Sequence, residues 1–317
     1  MRRYSHWTNL TAADRGASVA LGNFDGVHLG HRAVIDLARR SDAALGVVTF
    51  EPHPRSHFAP DAPPFRLMDA AARANRLSKL GVQRLYELPF DAALAALSPE
   101  AFAAEVLAAG LGVRHVVIGA DFCFGAGRRG TAADLRRLGA ALGFDVTVAD
   151  LVADLAAGAD AKASAAPVSS SAIRAALTDG RPRDAARMLG HWHRIEGPVV
   201  KGDQRGRDLG YPTANMALSG LHLPRLGVYA VLVDVLTGPH AGRYHGAASL
   251  GIRPMFRIPT PNLETFLFDF GGDLYGATLS VAFVEFLRPE ATFAGLDALV
   301  AQMDADCAAA REILRDP

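Results

Sequence analysis

The sequence predicts a doubly wound α/β domain built on a parallel sheet, followed by a small antiparallel β-barrel and a C-terminal helix. Three observations carry that prediction. Between residue 18 and about 150, short apolar runs alternate with helical patterns, as in a parallel sheet covered on both faces. Beyond residue 190 helical periodicity fades, and apolar runs separated by turn signals replace it, as in a compact antiparallel β-domain. Near the C-terminus one helical stripe returns. The 317 residues, half of them hydrophobic, suit two domains with substantial cores. The expected domains are 1–186 and 187–317, with the join near 184–190.

In order along the first half, strands are expected at 18–21, 45–50, 84–88, 115–118 and 144–151. Helices are expected at 31–40, 69–80, 99–109 and 131–142. Ligands of such sheets sit beyond the carboxyl ends of the strands, so the segment after the first strand lies at the predicted mouth. The polar Ala/Ser/Gly-rich segment 158–166 reads as a loop inside this domain. In the second half, 228–235, 244–249, 263–268 and 279–286 read as strands. The last helix carries Leu296, Leu299, Val300, Met303, Cys307 and Leu314 on one face, to be packed on the barrel.

Lys plus Arg and Asp plus Glu are 33 each, so the formal net charge is zero, which does not favour a nucleic-acid binder. The two cysteines, Cys123 and Cys307, are too far apart in sequence to make a local metal or redox motif. The first residues lack the apolar core of a signal peptide, and no charge-free apolar run is long enough to span a bilayer. A cytoplasmic protein is expected.

The most informative stretch is Leu21-Gly-Asn-Phe-Asp-Gly-Val-His28-Leu-Gly-His31. It leads from an apolar strand through a glycine-rich turn into an amphipathic helix. A helix start offers unpaired N–H groups and a positive dipole end, a natural phosphate site. Gly22, Gly26 and Gly30 let backbone approach a ligand. Two imidazoles there can donate to a polyphosphate where charge builds up during transfer. The glycine spacing is not that of G-x-G-x-x-G. A zinc site would need a third or fourth ligand, and no cysteine or further histidine is near in sequence.

Asn23-Phe-Asp-Gly-Val-His28-Leu-Gly-His31 resembles the H-x-G-H signature of the nucleotidylyltransferase superfamily. In its extended form it is similar to the prokaryotic bifunctional riboflavin kinase/FAD synthetases. That resemblance implies a Rossmann-like nucleotidylyltransferase fold for the first domain. It implies ATP contacts at Gly22, Asn23, Phe24 and Gly26, flavin contact at Asp25, and catalytic roles for His28 and His31. Further blocks occur in family order. Thr49-Phe-Glu-Pro-His53-Pro54 reads cold as a stiff turn that presents a histidine; it resembles the family's T-F-x-P-H-P element beside the flavin nucleotide, which implies His53 and Pro54. Gly119-Ala-Asp121-Phe-Cys-Phe124-Gly125, followed by Arg128 and Arg129, reads either as a surface loop or as aromatics and arginines for a flat ring and a phosphate. It resembles G-x-[ND]-F-x-F-G, implying Asp121 and Phe124. Val168-Ser-Ser170-Ser171-Ala-Ile-Arg174 opens a helix and resembles I-S-S-T-x-[IV]-R, implying ATP contacts from Ser170, Ser171 and Arg174. Many family members place an arginine where this chain has Pro167.

In the second half, Val199 to Asn215 contains a glycine-rich loop feeding Pro212-Thr213-Ala214-Asn215. Thr and Asn oxygens suit Mg²⁺ held beside phosphates. The run resembles the G-x-P-T-A-N motif of riboflavin kinases, which implies Gly202, Thr213 and Asn215 at ATP and Thr213 and Asn215 at Mg²⁺; Tyr211 replaces a common Phe. Strand alternation puts Leu263, Thr265 and Leu267 on one face and Glu264, Phe266 and Phe268 on the other. Glu264 therefore shares a face with two phenylalanines, unusual for a solvated charge, and it matches the family's base. Gly251-Ile252-Arg253-Pro254-Met255-Phe256 resembles a G-T-x-P-T-F turn in which both threonines are replaced, and implies flavin contact by Arg253.

The resemblance covers about residues 18 to 314. It implies riboflavin + ATP → FMN + ADP in the second domain and FMN + ATP → FAD + pyrophosphate in the first. The expected partners are small molecules (riboflavin, FMN and ATP, with Mg²⁺ as cofactor and FAD as final product), with no nucleic acid and no membrane, in a monomer or a transient homo-oligomer. Two rivals are a nucleotidylyltransferase for another phosphate-bearing substrate and a non-catalytic flavin-binding protein. The intact Pro212–Asn215 run and Glu264 oppose the first, and the presence of His28, His31 and Glu264 opposes the second.

Overall fold

The computed structural model describes residues 1–150, 168–202, 206, 209–218, 220–253 and 260–317. The segment 158–166 and Pro167 lie outside them, as do Pro254, Met255 and Phe256. Backbone contacts divide the chain into two compact units, Met1–Pro63 with Ala70–Ser169, and Pro64–Asp69 with Ser170–Pro317.

The first unit holds a six-stranded, all-parallel sheet of β1 (Arg2–Tyr4), β2 (Ser18–Leu21), β3 (Leu45–Glu51), β4 (Arg84–Pro89), β5 (His115–Gly119) and β6 (Asp145–Ala149). The order is β1-β4-β3-β2-β5-β6. β2 and β3 are buried almost throughout, as expected where helices cover both faces. The helices are α1 (Leu29–Leu37), α2 (Pro54–Phe58), α3 (Ala70–Lys79), α4 (Ala92–Ala96), α5 (Pro99–Ala101) and α6 (Ala132–Leu142). Local chemistry sets several of their ends. Thr131 and Asp134 form a reciprocal capping box at α6, and Gly143 closes it at φ +85°. The core runs from Val19 and Leu21 through Val48, Tyr86 and Val116 to Leu107 and Leu135.

Strand order reverses at β2. The chain moves outward to β3 and β4, then returns to place β5 on the other side of β2. The loops after β2 and β5 therefore flank the topological switch point, where open parallel sheets bind ligands.

The second unit is an antiparallel sheet of β7 (Arg194–Pro198), β8 (Thr213–Ala217), β9 (Gly227–Val235), β10 (Gly242–Arg253), β11 (Thr260–Leu267) and β12 (Thr278–Arg288). Its order is β7-β12-β9-β10-β11-β8, and a bridge between Val200 and Asn215 brings the two edges together, so the barrel is nearly closed. Leu263, Leu267, Val231, Val233, Leu279 and Phe283 fill its interior. α7 (Ser170–Thr178) and α8 (Pro182–Leu189) belong to this unit, as does the last helix, α9 (Leu296–Ile313). Ala310 and Leu314 pack against Ala230, Ala247, Phe268 and Val284 on the barrel exterior, with Cys307 beside them.

Two elements depart from the sequence expectation. The helix expected at 99–109 is α-helical only over Pro99–Ala101 and continues as a wider π-helix, Phe102–Leu111. Apolar residues on nearly every side erase the period that would separate the two windings. On α9, Leu296 is 58% exposed instead of lying on the packed face. It stands at the first helical position, and the buried stripe includes Asp306, whose carboxylate accepts a fork of bonds from Arg288.

Candidate active sites

The first site forms on the loop between β2 and α1. Phe24 (φ +53°) and Val27 (φ +44°) are left-handed without being glycine, and Gly26 lies between them at φ +85°. Such strain costs about 1–2 kcal/mol per residue and gathers at functional loops. Burial pins the loop: Phe24 and Val27 are in the core. The Thr49 hydroxyl donates to the Asn23 carbonyl at 3.1 Å, and the Gly22 N–H donates to Val48 O at 3.1 Å. The Gly22 backbone passes close to the Phe24 ring.

This conformation delivers two stacked imidazoles. His28 and His31 lie with ring centroids 3.6 Å apart and planes 15° apart, and Phe24 tilts against His31 at 5.1 Å. His28 is the N-cap of α1: its Nδ1 accepts the His31 backbone N–H at 3.2 Å. A neutral imidazole that accepts at Nδ1 carries its proton at Nε2, so His28 is set as a donor. His31 is held neutral, with its pKa well below the ordinary 6.5, chiefly by desolvation and then by His28. Its Nδ1 is buried without a protein hydrogen-bond partner.

β3 leads into the second element of this mouth. His53 caps α2, its Nδ1 accepting the Arg55 N–H at 3.0 Å, and Pro54 takes the first helical position. Beneath it Arg73, fully buried, donates to Glu51 at 2.9 Å and Glu87 at 3.0 Å, and Arg3 also bonds Glu87. The loop after β5 is closed by reciprocal backbone bonds between Phe124 and Gly130, 3.0 and 2.9 Å. Gly125, at φ +71°, has no room for a Cβ beside Pro99. Asp121, Arg128 and Arg129 are exposed on this loop, whereas Phe124 is buried against Phe102, with half-buried Phe122 stacked on it at 6.1 Å. Asp25 is buried. Sequence reading passed over an aromatic group near His53: Phe58, 69% exposed, makes edge contacts with His57 and Phe90, and Phe90 in turn with Phe50. Its signal is an aromatic one helical turn after Pro54.

Ser170 and Ser171 open α7, which places them and Arg174 in the second unit. Arg174 Nε donates to the Phe65 carbonyl, and its guanidinium lies 5.5 Å from the Phe65 ring centroid.

The second site lies on the outer face of the barrel, where β8 pairs with β11. Asn215 is opposite Glu264 in register, and Thr213 is opposite Phe266. Alternation holds as expected: Leu263, Thr265 and Leu267 are buried inward, and Glu264 is on the other face. The Asn215 side chain is oriented at its nitrogen end, where Nδ2 donates to Thr213 O at 3.1 Å. Its oxygen accepts from Asn262 Nδ2 at 3.1 Å, and the same nitrogen donates to Glu264 Oε1 at 3.0 Å. Asn215 is 5% and Asn262 8% exposed. Gly202 crosses directly over Asn215; a Cβ there would lie 2.6 Å from its amide carbon. Thr213, Asn215, Glu264 and Gly202 are thus brought together. Arg253 ends β10, and Ile252 beside it is exposed. Asn262 was missed by sequence reading, although it is two residues before Glu264 on the same strand face.

The comparisons with known proteins follow the two units. The FAD synthetase family model matches residues 10–159, and the riboflavin kinase model matches residues 189–314. A bifunctional riboflavin kinase/FMN adenylyltransferase of Pseudomonas fluorescens is 39% identical over 310 residues, covering 96% of this chain and 95% of that protein. The Escherichia coli K12 protein of the same description is 37% identical over 309 residues, with 96% and 95% coverage. The Bacillus subtilis one is 34% identical over 312, with 95% and 94%. The crystal structure of a macrolide-efflux protein from Streptococcus pneumoniae is also similar, at 29% identity and TM-score 0.82, over 100% of this chain and 99% of that one. Among the described residues, no helix is long and apolar enough to cross a membrane. With both family models matched in order and relatives alike over nearly their whole length, this chain belongs to the bifunctional riboflavin kinase/FMN adenylyltransferase family.

Proposed function

We propose that the outer-face cluster of the barrel phosphorylates riboflavin and that the stacked-histidine loop of the parallel-sheet unit adenylylates the FMN produced. The observation that carries the second assignment is the buried, unpartnered Nδ1 of His31 beside a His28 fixed as an Nε2 donor. A phosphate oxygen would supply the partner that this His31 nitrogen lacks.

In the kinase step, Glu264 accepts the proton of the riboflavin 5′-hydroxyl as that oxygen attacks the γ-phosphorus of ATP, and ADP leaves. The donors around it suit Mg²⁺: Thr213 and Asn215 offer neutral oxygens, and only a glycine at 202 can pass over the Asn215 amide without displacing it. When bound, that ion neutralises charge on the phosphate oxygens. In the adenylyl step, an FMN phosphate oxygen attacks the α-phosphorus of ATP and pyrophosphate leaves. No protein nucleophile takes part; His28 and His31 donate to the charge that develops. Gly22, Asn23, Phe24 and Gly26 shape the nucleotide's seat, while Asp25, His53, Pro54, Asp121 and Phe124 are assigned to the flavin side. Ser170, Ser171 and Arg174 are assigned to nucleotide phosphates, and Arg253 to flavin, on their motifs. The activities divide near residues 186/187, and the enzyme works in the cytoplasm as a monomer or transient homo-oligomer.

The test is chromatography of the purified protein incubated with riboflavin, ATP and Mg²⁺, in which FMN should appear first and FAD after it. His28→Ala combined with His31→Ala should cut FAD formation from supplied FMN by at least about 10²–10³-fold and leave FMN formation intact. Glu264→Gln should do the reverse, slowing FMN formation by about 10²–10⁴-fold. Loss of both activities from either change, in a folded protein, would refute the two-site assignment.

A further inference from the structure

The geometry points to Asn262 as a positioning residue of the kinase step: one amide nitrogen holds the base Glu264 and the oxygen of Asn215 in fixed relation. The inference rests on the assignment of Glu264 as the base and of Asn215 as an oxygen donor to the metal.

Three features support it. The Asn262 side chain is buried, so its two N–H groups must find partners inside the protein. They find Glu264 Oε1 at 3.0 Å and Asn215 Oδ1 at 3.1 Å, which uses both hydrogens of the nitrogen. Asn215 is held at its other end by the bond from its own Nδ2 to Thr213 O. An amide tethered at both ends cannot turn over, and its oxygen faces Asn262. An amide oxygen carries two lone pairs, so accepting from Asn262 does not by itself use up its capacity. Asn262 is thus a shared donor that orients both the group assigned to take the hydroxyl proton and the group that would help hold the metal. Such outer partners of metal ligands are commonly worth 10–100-fold in affinity or activity. Leucine or valine could occupy the same strand position with equal or better β-propensity, but neither could bridge the two acceptors.

The test compares full-length Asn262→Ala and Asn262→Ser with the parent protein. Five quantities are read: kcat and KM for riboflavin phosphorylation, Mn²⁺ affinity by electron paramagnetic resonance with ADP present, thermal melting, and FAD formation from supplied FMN. For Asn262→Ala, kinase kcat and Mn²⁺ affinity should each fall by about 10–100-fold, with little change in riboflavin KM and none in FAD formation. Serine keeps one donor and should recover part of the kcat. Parent-like kcat and Mn²⁺ affinity in Asn262→Ala would overturn the inference, as would an equal loss in FAD formation, which marks a general folding defect. If the alanine variant does not fold, Asn262→Ser decides on the same measurements, since a single donor cannot serve both acceptors. Glu264→Gln is assayed in parallel. If it keeps kinase turnover, the base assignment itself falls and this inference falls with it. If it is inactive while both Asn262 variants behave like the parent, only the Asn262 inference falls.

Discussion

Single residues in this protein are set by what burial does to their polar atoms. His31 and His193 are both pushed towards the neutral form by desolvation, with opposite consequences for function. His31 sits beside the strained loop, where a polyphosphate would satisfy its orphaned nitrogen. His193, packed against Phe283 at 5.8 Å, has an Nε2 with no hydrogen-bond partner inside the second unit, and burial lowers its pKa to about 3. Histidines 191 and 222 add smaller repulsions. Its consequence is a pH-dependent stability. Between about pH 6.5 and 3 the unfolded chain binds a proton at this position that the folded chain does not, so stability is intact above 6.5 and falls as pH falls. The slope from this one group is up to about 1.4 kcal/mol per pH unit. Melting of the second unit should therefore drop between pH 7.5 and 5, and His193→Leu should make that drop shallower. An unchanged pH slope in the variant would refute the assignment.

At the scale of elements, the sequence was legible wherever one local rule decided the outcome. The strand at Ser18–Leu21 matches its expectation at both ends, and helix 132–142 is announced by Thr131 and Asp134. The β11 alternation correctly put Glu264 opposite Leu263 and Thr265. Less legible were features that depend on partners distant in sequence. The edge strand β1 is three residues long and exists because β4 pairs with it. The π winding of 102–111 and the barrel strands β7 and β8 leave no distinctive period. At the sites, the residue types were visible, but their linkage was not: that His28 caps its own helix, or that Asn262 joins Asn215 to Glu264, depends on side-chain direction. Gly202 shows the same dependence and yields a prediction. A methyl group there would lie 2.6–2.7 Å from three atoms of the Asn215 amide, well inside contact distance. Gly202→Ala should displace that amide and lower riboflavin kinase kcat/KM by at least about tenfold, the loss expected when a metal-orienting contact is disturbed. FAD formation from supplied FMN should be unchanged. A kinase rate equal to the parent's would show that the loop gives way without cost.

At the scale of the whole molecule, the two units have separate cores. The barrel interior is built from residues 195–283 and the parallel-sheet core from residues 17–144. The proposed base Glu264 lies in the barrel unit and the proposed donor pair His28 and His31 in the sheet unit. The step that links them is transfer of FMN, a freely soluble product of one reaction and substrate of the next. It follows that the defects should complement in trans. A mixture of the His28→Ala/His31→Ala protein with the Glu264→Gln protein should convert riboflavin to FAD, although neither protein does so alone. The rate should rise with the concentration of each protein, because FMN must leave one molecule and reach another. If FMN forms in the mixture but stays bound to the protein that made it and no FAD appears, although the Glu264→Gln protein makes FAD from supplied FMN, then FMN made by one molecule is not available to the next. The link between the two reactions would then be a property of the intact chain and not of two independent sites.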